Sequence, residues 1–243
     1  MASNIVNIDF WNLFQIQRGD CVLDLGSGNG RHTLEAANWP CQIVSADIVL
    51  EELRKSRYMF YADLNKGRLQ GFAEFATLDA QFLPFADDIF DKIIATEVLE
   101  HVFDDELTMR ELLRVLKPGG EIAVSCPHHR IERLLWRMSW DYWHSPGGHV
   151  RIYRSGELVC RLQQHGIEVG PARGRHACQS VYWVLRCLFG KDNPGHPITG
   201  RLWRLMDWNL KRRHPLFEGM EGALDRVIPK DHVIYGRKPR AGN

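Results

Sequence analysis

The stretch Cys21-Val22-Leu23-Asp24-Leu25-Gly26-Ser27-Gly28-Asn29-Gly30 decides how this chain is read. An apolar run carrying an acid gives way to glycine at every second position, and Arg31-His32-Thr33-Leu34-Glu35-Ala36-Ala37 follows with helical composition. The pattern predicts a strand, a tight turn and a helix. Glycine has no Cβ, so its backbone reaches positive φ and a small molecule can lie against it, facing the free N–H groups that begin the helix. A turn of this kind is a place for a ligand.

Working outward, Ile5 to Gln15 has mixed helical spacing and predicts a short helix over the edge of the core. Downstream, Cys41-Gln42-Ile43-Val44-Ser45-Ala46 predicts a second strand closing at Asp47, Glu51 to Lys66 a helix, and Ala73 to Leu78 a third strand closing at Asp79. Phe90 to Thr96 predicts a fourth strand. Glu97 to Leu116 predicts a helical region stopped by Lys117-Pro118-Gly119-Gly120, and Glu121 to Cys126 a fifth strand. Alternating strands and helices imply right-handed βαβ units and a mostly parallel sheet, whose ligands gather at the carboxyl ends of the strands. Asp24, Asp47 and Asp79 belong to that end.

Asp47 follows the glycine turn at close to the roughly 20 residues at which an acid after the second strand meets ribose hydroxyls in dinucleotide folds. A nucleoside is therefore expected. The turn is G-x-G-x-G rather than G-x-G-x-x-G, and a third acid follows the third strand. A pyrophosphate would be repelled by Asp24, whereas a ligand carrying an ammonium and a sulfonium would be attracted. S-adenosylmethionine (SAM) is such a ligand.

Through VLDLGSGNG, SADI, TLDAQFLPF, FDKIIATEVLEHV and LLRVLKPGGEIAVSCP, over about residues 20–126, the chain resembles the class I SAM-dependent methyltransferases, in particular the group that includes ubiquinone and menaquinone methyltransferases. The resemblance implies an α/β, Rossmann-like fold with a seven-stranded, mostly parallel sheet in the order 3-2-1-4-5-7-6 and an antiparallel last strand. It implies that Asp24, Gly26, Ser27 and Gly28 face the methionine moiety, that Asp47 and Ile48 serve the ribose, that Asp79 and Ala80 read the adenine edge, and that Glu97 lies on the sulfonium side. Glu97, Glu100 and His101 also match the E-x-x-E-H stretch of ubiquinone-type O-methyltransferases, where a divalent ion has been implicated. On a helix the three would share a face, but carboxylates favoured by the helix dipole are the preferred account, partly because many members of the group with the same stretch act without metal, and no metal ligand is assigned.

At 243 residues with 44% hydrophobic content, the chain suits one domain over 1–243, with a SAM-binding core at 1–126 and a substrate-facing part at 127–243. A formal charge of +1, no RNA-binding appendage, and Thr96-Glu97-Val98-Leu99 in place of an Asn/Asp-Pro-Pro-aromatic stretch argue against a nucleic-acid partner. Six scattered cysteines without a C-x-x-C pair suit reduced thiols in a cytoplasmic protein, with no secretory signal or membrane span in the sequence.

Methyl transfer asks for alignment, exclusion of water and, for a protonated nucleophile, a base. His101, His128 and His149 are the candidate bases, with His129 behind them. The expected acceptor is a small or lipid-like molecule methylated first of all at oxygen, with carbon and nitrogen left open. The rival readings are a SAM-binding partner protein without turnover and an NAD-type oxidoreductase.

Beyond His128 the resemblance thins. A single helix over 129–143 would place Ile131, Leu134, Leu135, Met138 and Tyr142 on one side and Trp136, Trp140 and Trp143 on the other, the tryptophans facing a substrate, the C-terminal helices or a membrane interface. Ile152 to Gln164 predicts a helix, Gly166 to Val169 the sixth strand, and Asp231 to Gly236 the seventh. Residues 171–230 read as a helical insertion. Over 173–214 it carries nine arginines and lysines, among them Lys191, Lys211 and Arg213, against Asp192 and Asp207, a local charge of +7. In a helix over 201–213, Leu202, Trp203, Met206 and Leu210 share an arc while Trp208 projects among Arg201, Arg204 and Arg212, which suits an anionic membrane surface or a phosphate-linked lipid substrate.

Overall fold

The computed structural model of the protein describes residues 6–145, 147–154, 156–190, 196–212 and 214–240, with the side chains of Leu210 and Lys211 also outside that description. Ile5, Lys191, Asp192 and Arg213 lie outside the described residues.

Apolar β-branched runs form the sheet and the segments between them supply its covering helices. In chain order these are β1 (Cys21–Leu25), α1 (Arg31–Ala36), β2 (Gln42–Asp47), α2 (Leu50–Leu64), β3 (Phe72–Thr77), β4 (Phe90–Thr96), α3 (Asp105–Val115) and β5 (Leu116–Pro127). Then follow α4 (His129–Met138), α5 (Trp140–Trp143), α6 (Glu157–Gln164), β6 (Glu168–Arg175), α7 (Ala177–Phe189), α8 (Pro197–Arg212), α9 (Pro215–Leu224) and β7 (Asp231–Arg237). The strands form one sheet in the order β3-β2-β1-β4-β5-β7-β6. Pairing is parallel from β3 to β5, and β7 runs antiparallel to both β5 and β6.

Successive side chains of the central strands are buried on opposite faces, as expected for a sheet covered on both sides. Leu23, Ile93, Ile122 and Ile234 enter the layer that α3 and α6 close with Met109, Leu112, Leu158 and Leu162. Val22, Ile94, Ala123 and Val233 enter the layer formed with Phe10, Phe14, Ala36 and Phe60. Burying a side chain of this size contributes about 1.5–3 kcal/mol.

Several sequence expectations need correction. Described residues 6–15 form turns instead of a helix, although Ile8, Phe10 and Phe14 are buried as packing residues. The helical region expected from Glu97 begins only at Asp105, where Asp104 caps it by accepting from Leu107 N at 2.8 Å. The helix expected over 129–143 breaks at extended Ser139, whose hydroxyl accepts from Tyr142 N at 3.2 Å and opens α5. Leu134, placed on its packed side, is 42% exposed. The helix expected from Ile152 begins at Glu157, because Arg151 and Tyr153 are drawn back onto the loop after β4: Arg151 donates to the Leu99 and Val102 carbonyls, both at 2.6 Å. The sixth strand runs on to Arg175, so the helices of the insertion span 177–224 rather than filling 171–230. Among the described residues, no helix is long and apolar enough to cross a membrane.

Candidate functional site

The carboxyl ends of β1, β2 and β3 carry the glycine turn and the three expected acids. Gly26 has φ +66, and a Cβ there would stand 2.4 Å from Val98 Cγ2. Gly28 has φ +53, but a Cβ there would meet nothing within 4 Å. The first glycine is required by packing. The second borders open space, the condition for a ligand to touch backbone.

Asp47 braces this turn. Its Oδ2 accepts from Gly28 N at 2.8 Å and its Oδ1 from Val49 N at 2.8 Å. Ile48 beside it is 67% exposed. Asp24 is 1% exposed; its Oδ2 accepts from Thr33 Oγ1 at 2.6 Å, while Oδ1 has no hydrogen-bond partner among the described residues. Burial pushes its carboxyl up to about 6, against the pull of the Thr33 bond. Ser27 is buried and its hydroxyl accepts from Ser45 at 3.0 Å. Asp79 is half-buried and accepts from Gln81 N at 2.9 Å, beside buried Ala80.

Beyond β4 the chain turns sharply: Glu97 has φ +56, a left-handed conformation that a non-glycine residue adopts at a cost. Its Oε1 accepts from Ser125 Oγ at 3.0 Å. Behind Ser125 the hydrogen bonds continue to Asn7 at 3.2 Å, from Asn7 to His32 at 2.8 Å, and from His32 to Thr96 at 3.2 Å, all four residues buried. The N-terminal segment is thus tied to the first helix after the glycine turn. Burial, with Asp231 adding, pushes the Glu97 carboxyl up to about 7 although Lys230 and His149 oppose it.

Glu100 is fully buried and neither carboxylate oxygen has a partner among the described residues. Burial first, then Glu97, holds its carboxyl well above the usual range. Glu100, His101 and His149 bring one ligand-type atom each to within 4.8 Å of one another. Glu97 is not part of that group, so the shared helical face of Glu97, Glu100 and His101 does not form. His101 is exposed, with Nδ1 3.3 Å from the Gly148 carbonyl and its ring edge-on to His149. His128 is buried against His129 and His232, and burial with those neighbouring rings pushes it down to about 4.

Residues the sequence reading overlooked complete this end of the sheet. Glu132 of α4 is 1% exposed and accepts from His149 Nδ1 at 2.6 Å, Trp136 Nε1 at 2.9 Å and Tyr142 Oη at 3.2 Å. Lys230 Nζ lies 3.6 Å from Glu132 and 3.8 Å from Asp231, and Asp231 receives His176 Nδ1 at 3.1 Å. Glu132, Lys230 and His176 are far apart in sequence and follow no motif. Only the pairing of Pro127 with Asp231 across β5 and β7 brings them together. Between the N-terminal segment and the cap helices lies a cavity of about 370 Å³ lined by Asn7, Asp9, His176, Met206 and Asn209 among others.

Comparison with known proteins agrees with this geometry. Residues 7–170 match a family model described as "Methyltransferase domain". The chain is 38% identical over 122 residues to the ubiquinone/menaquinone biosynthesis C-methyltransferase UbiE of Teredinibacter turnerae, covering 47% of each chain. It is 33% identical over 111 residues to the methyltransferase GfsG of Streptomyces halstedii, covering 45% of this chain and 38% of that one. The matches thus span about half the length of these curated relatives or less. Among solved structures it is similar to the [4+2]-cyclase SpnF (TM-score 0.61, 22% identity, 93% of this chain and 77% of that chain). It is similar also to a SAM-dependent methyltransferase of Methanosarcina mazei (TM-score 0.59, 20% identity, 93% and 95%). By the match to more than half its length, together with the sheet order and the glycine turn, the chain belongs to the methyltransferase domain family of class I, Rossmann-like SAM-dependent methyltransferases.

Proposed function

We propose that the protein transfers a methyl group from SAM to the hydroxyl oxygen of a small or lipid-like acceptor. The observation that carries this reading is Asp24, a buried carboxylate with an unpartnered oxygen beneath a turn whose Gly28 borders open space. Such an oxygen is costly to bury alone and is satisfied by a donor or cation arriving with a ligand. Asp24 with Gly26, Ser27 and Gly28 would hold the methionine end, Asp47 the ribose hydroxyls with Ile48 against them, and Asp79 and Ala80 the adenine edge. SAM, when bound, supplies an electrophilic methyl on a sulfonium. The chain's part is to align that carbon with the acceptor, exclude water and remove a proton.

Relatives named as quinone C-methyltransferases support an aromatic, lipid-like acceptor class. SpnF, named as a cyclase, marks the rival in which a protein of this fold does something other than methyl transfer. Incubating the full chain with methyl-labelled SAM and cell extract, followed by mass spectrometry, decides between them. Label on an oxygen of an extract molecule is expected. SAM binding without labelled product would favour the rival, and protection from heat by NADH but not by SAM would favour an oxidoreductase.

A second proposal concerns the surface of the cap. Trp208 is 40% exposed on α8 among exposed Arg201, Arg204 and Arg212, while Met206 on the opposite side is buried. This arrangement suits an anionic lipid surface. Replacing Trp208, Arg201, Arg204 and Arg212 together should remove binding to vesicles containing phosphatidylglycerol and leave SAM binding intact. Unchanged vesicle binding would overturn it.

A further inference from the structure

We propose that His149 is the general base of the transfer, that Glu132 is its positioning residue, and that the acceptor presents an ionisable hydroxyl to His149 Nε2. The inference rests on the reading above.

The Glu132 carboxylate is ringed by His149 and Trp136 on Oε1 and by Tyr142 and Lys230 on Oε2. Burial raises its carboxyl, but the His149 bond and the Lys230 charge outweigh burial and hold it below the usual range. An ionised carboxylate can only accept, so His149 Nδ1 must be the protonated nitrogen. In the neutral ring that leaves the lone pair on Nε2, and no hydrogen bond to Nε2 is found among the described residues. The His149 side chain is 15% exposed and its ring lies edge-on to His101, with centroids 4.8 Å apart.

The other candidate histidines lack this arrangement. His101 Nδ1 faces the Gly148 carbonyl and its ring the edge of His149, and His128 sits between two further histidines, with no carboxylate hydrogen bond to either ring among the described residues and His128 Nδ1 unsatisfied there. Around His149 stand Glu132 from α4, Tyr142 from α5, Lys230 before β7, and Glu97, Glu100 and His101 after β4, with Asp231 behind Lys230. An imidazolium formed here is stabilised by Glu132. The step balances: the acceptor O–H proton passes to Nε2, the O–CH₃ bond forms as the S–CH₃ bond breaks, and S-adenosylhomocysteine leaves while the imidazolium returns its proton to solvent.

The test uses the full chain saturated with S-adenosylhomocysteine. Histidine-ring ¹⁵N NMR should show His149 protonated on Nδ1 and bare on Nε2, with this preference lost in Glu132→Gln. In the second arm, with phenol, catechol and hydroquinone as acceptor probes and ¹³C-methyl SAM, Glu132→Gln should lower kcat about 10- to 100-fold with KM for SAM unchanged. Its acid limb should move to lower pH, Glu132→Asp should recover part of the rate, and His149→Ala should lose at least about 100-fold. An Nε2-protonated His149 would overturn the proposal. So would equal losses in Glu132→Gln and Glu132→Asp with an unmoved pH profile, or label on a ring carbon of the probes in place of the hydroxyl oxygen. S-adenosylhomocysteine binding retained alongside such a result leaves the proposed function standing, whereas no binding by the unaltered chain removes the proposed function itself.

Discussion

Asp24 shows how one residue connects fold to ligand. It is fixed on β1 by the strand's burial, and its Oδ1, without a hydrogen-bond partner among the described residues, would under the proposed function be satisfied by a donor or cation of the ligand. Because burial raises its carboxyl to about 6, its charge is lost as pH falls through that value. SAM affinity, measured by calorimetry, should therefore rise between pH 5 and 7.5. Asp24→Asn should flatten that rise and weaken binding at pH 7.5 about 10-fold, the equivalent of ~1.4 kcal/mol. Asp47→Ala removes the acceptors of both Gly28 N and Val49 N and should weaken binding by at least about 10-fold, the value of a charged hydrogen bond of ~1.5–3 kcal/mol.

At the scale of elements, β7 returns antiparallel between β5 and β6, and that return sets Lys230 and Asp231 against Glu132 of α4. Lys230 is 6% exposed, and although burial disfavours its charge, Asp231 and Glu132 outweigh burial and hold its ammonium above the usual range. Lys230→Met leaves two buried carboxylates without their cation. It should cost about 3–5 kcal/mol in denaturant unfolding at pH 8, and less at pH 5, where the carboxylates can take protons. The strands were legible in the sequence because apolar runs ending in acids survive in any context: Asp24, Asp47 and Asp79 all stand where expected. The segment after β4 was not. The composition of Glu97–His101 is helical, but Glu97 is held at positive φ by its bond to Ser125, a partner 28 residues away. Ser139 likewise cut the predicted helix by preferring to cap α5.

For the whole molecule, two acids at the mouth of the sheet make stability depend on pH in an unusual sense. Glu97 and Glu100 both have carboxyls raised above the ordinary value, chiefly by burial. The folded chain therefore holds protons that the unfolded chain releases, and their contribution to stability falls as pH rises from the unfolded carboxyl value of about 4.5 through 7 and beyond. Buried histidines such as His128, held down by burial, act in the opposite sense over part of that window, so the check is differential: Glu100→Gln, which keeps the shape without the ionisation, should gain in denaturant midpoint relative to the unaltered chain as pH rises from 5 to 8. The strands and the glycine turn could be read from local patterns, whereas the sheet order was implied by the resemblance to class I SAM-dependent methyltransferases. The Glu132–His149 pair and the Lys230 network could not, because they join α4, the loop after α5 and β7 only once the sheet is complete.

Calorimetric titration of the full chain with SAM, S-adenosylhomocysteine and NADH tests the central claim most directly. One saturable site for both sulfur nucleosides, weakened by Asp47→Ala and absent for NADH, is the predicted result. No heat with either sulfur nucleoside, or binding of NADH in their place, would contradict it.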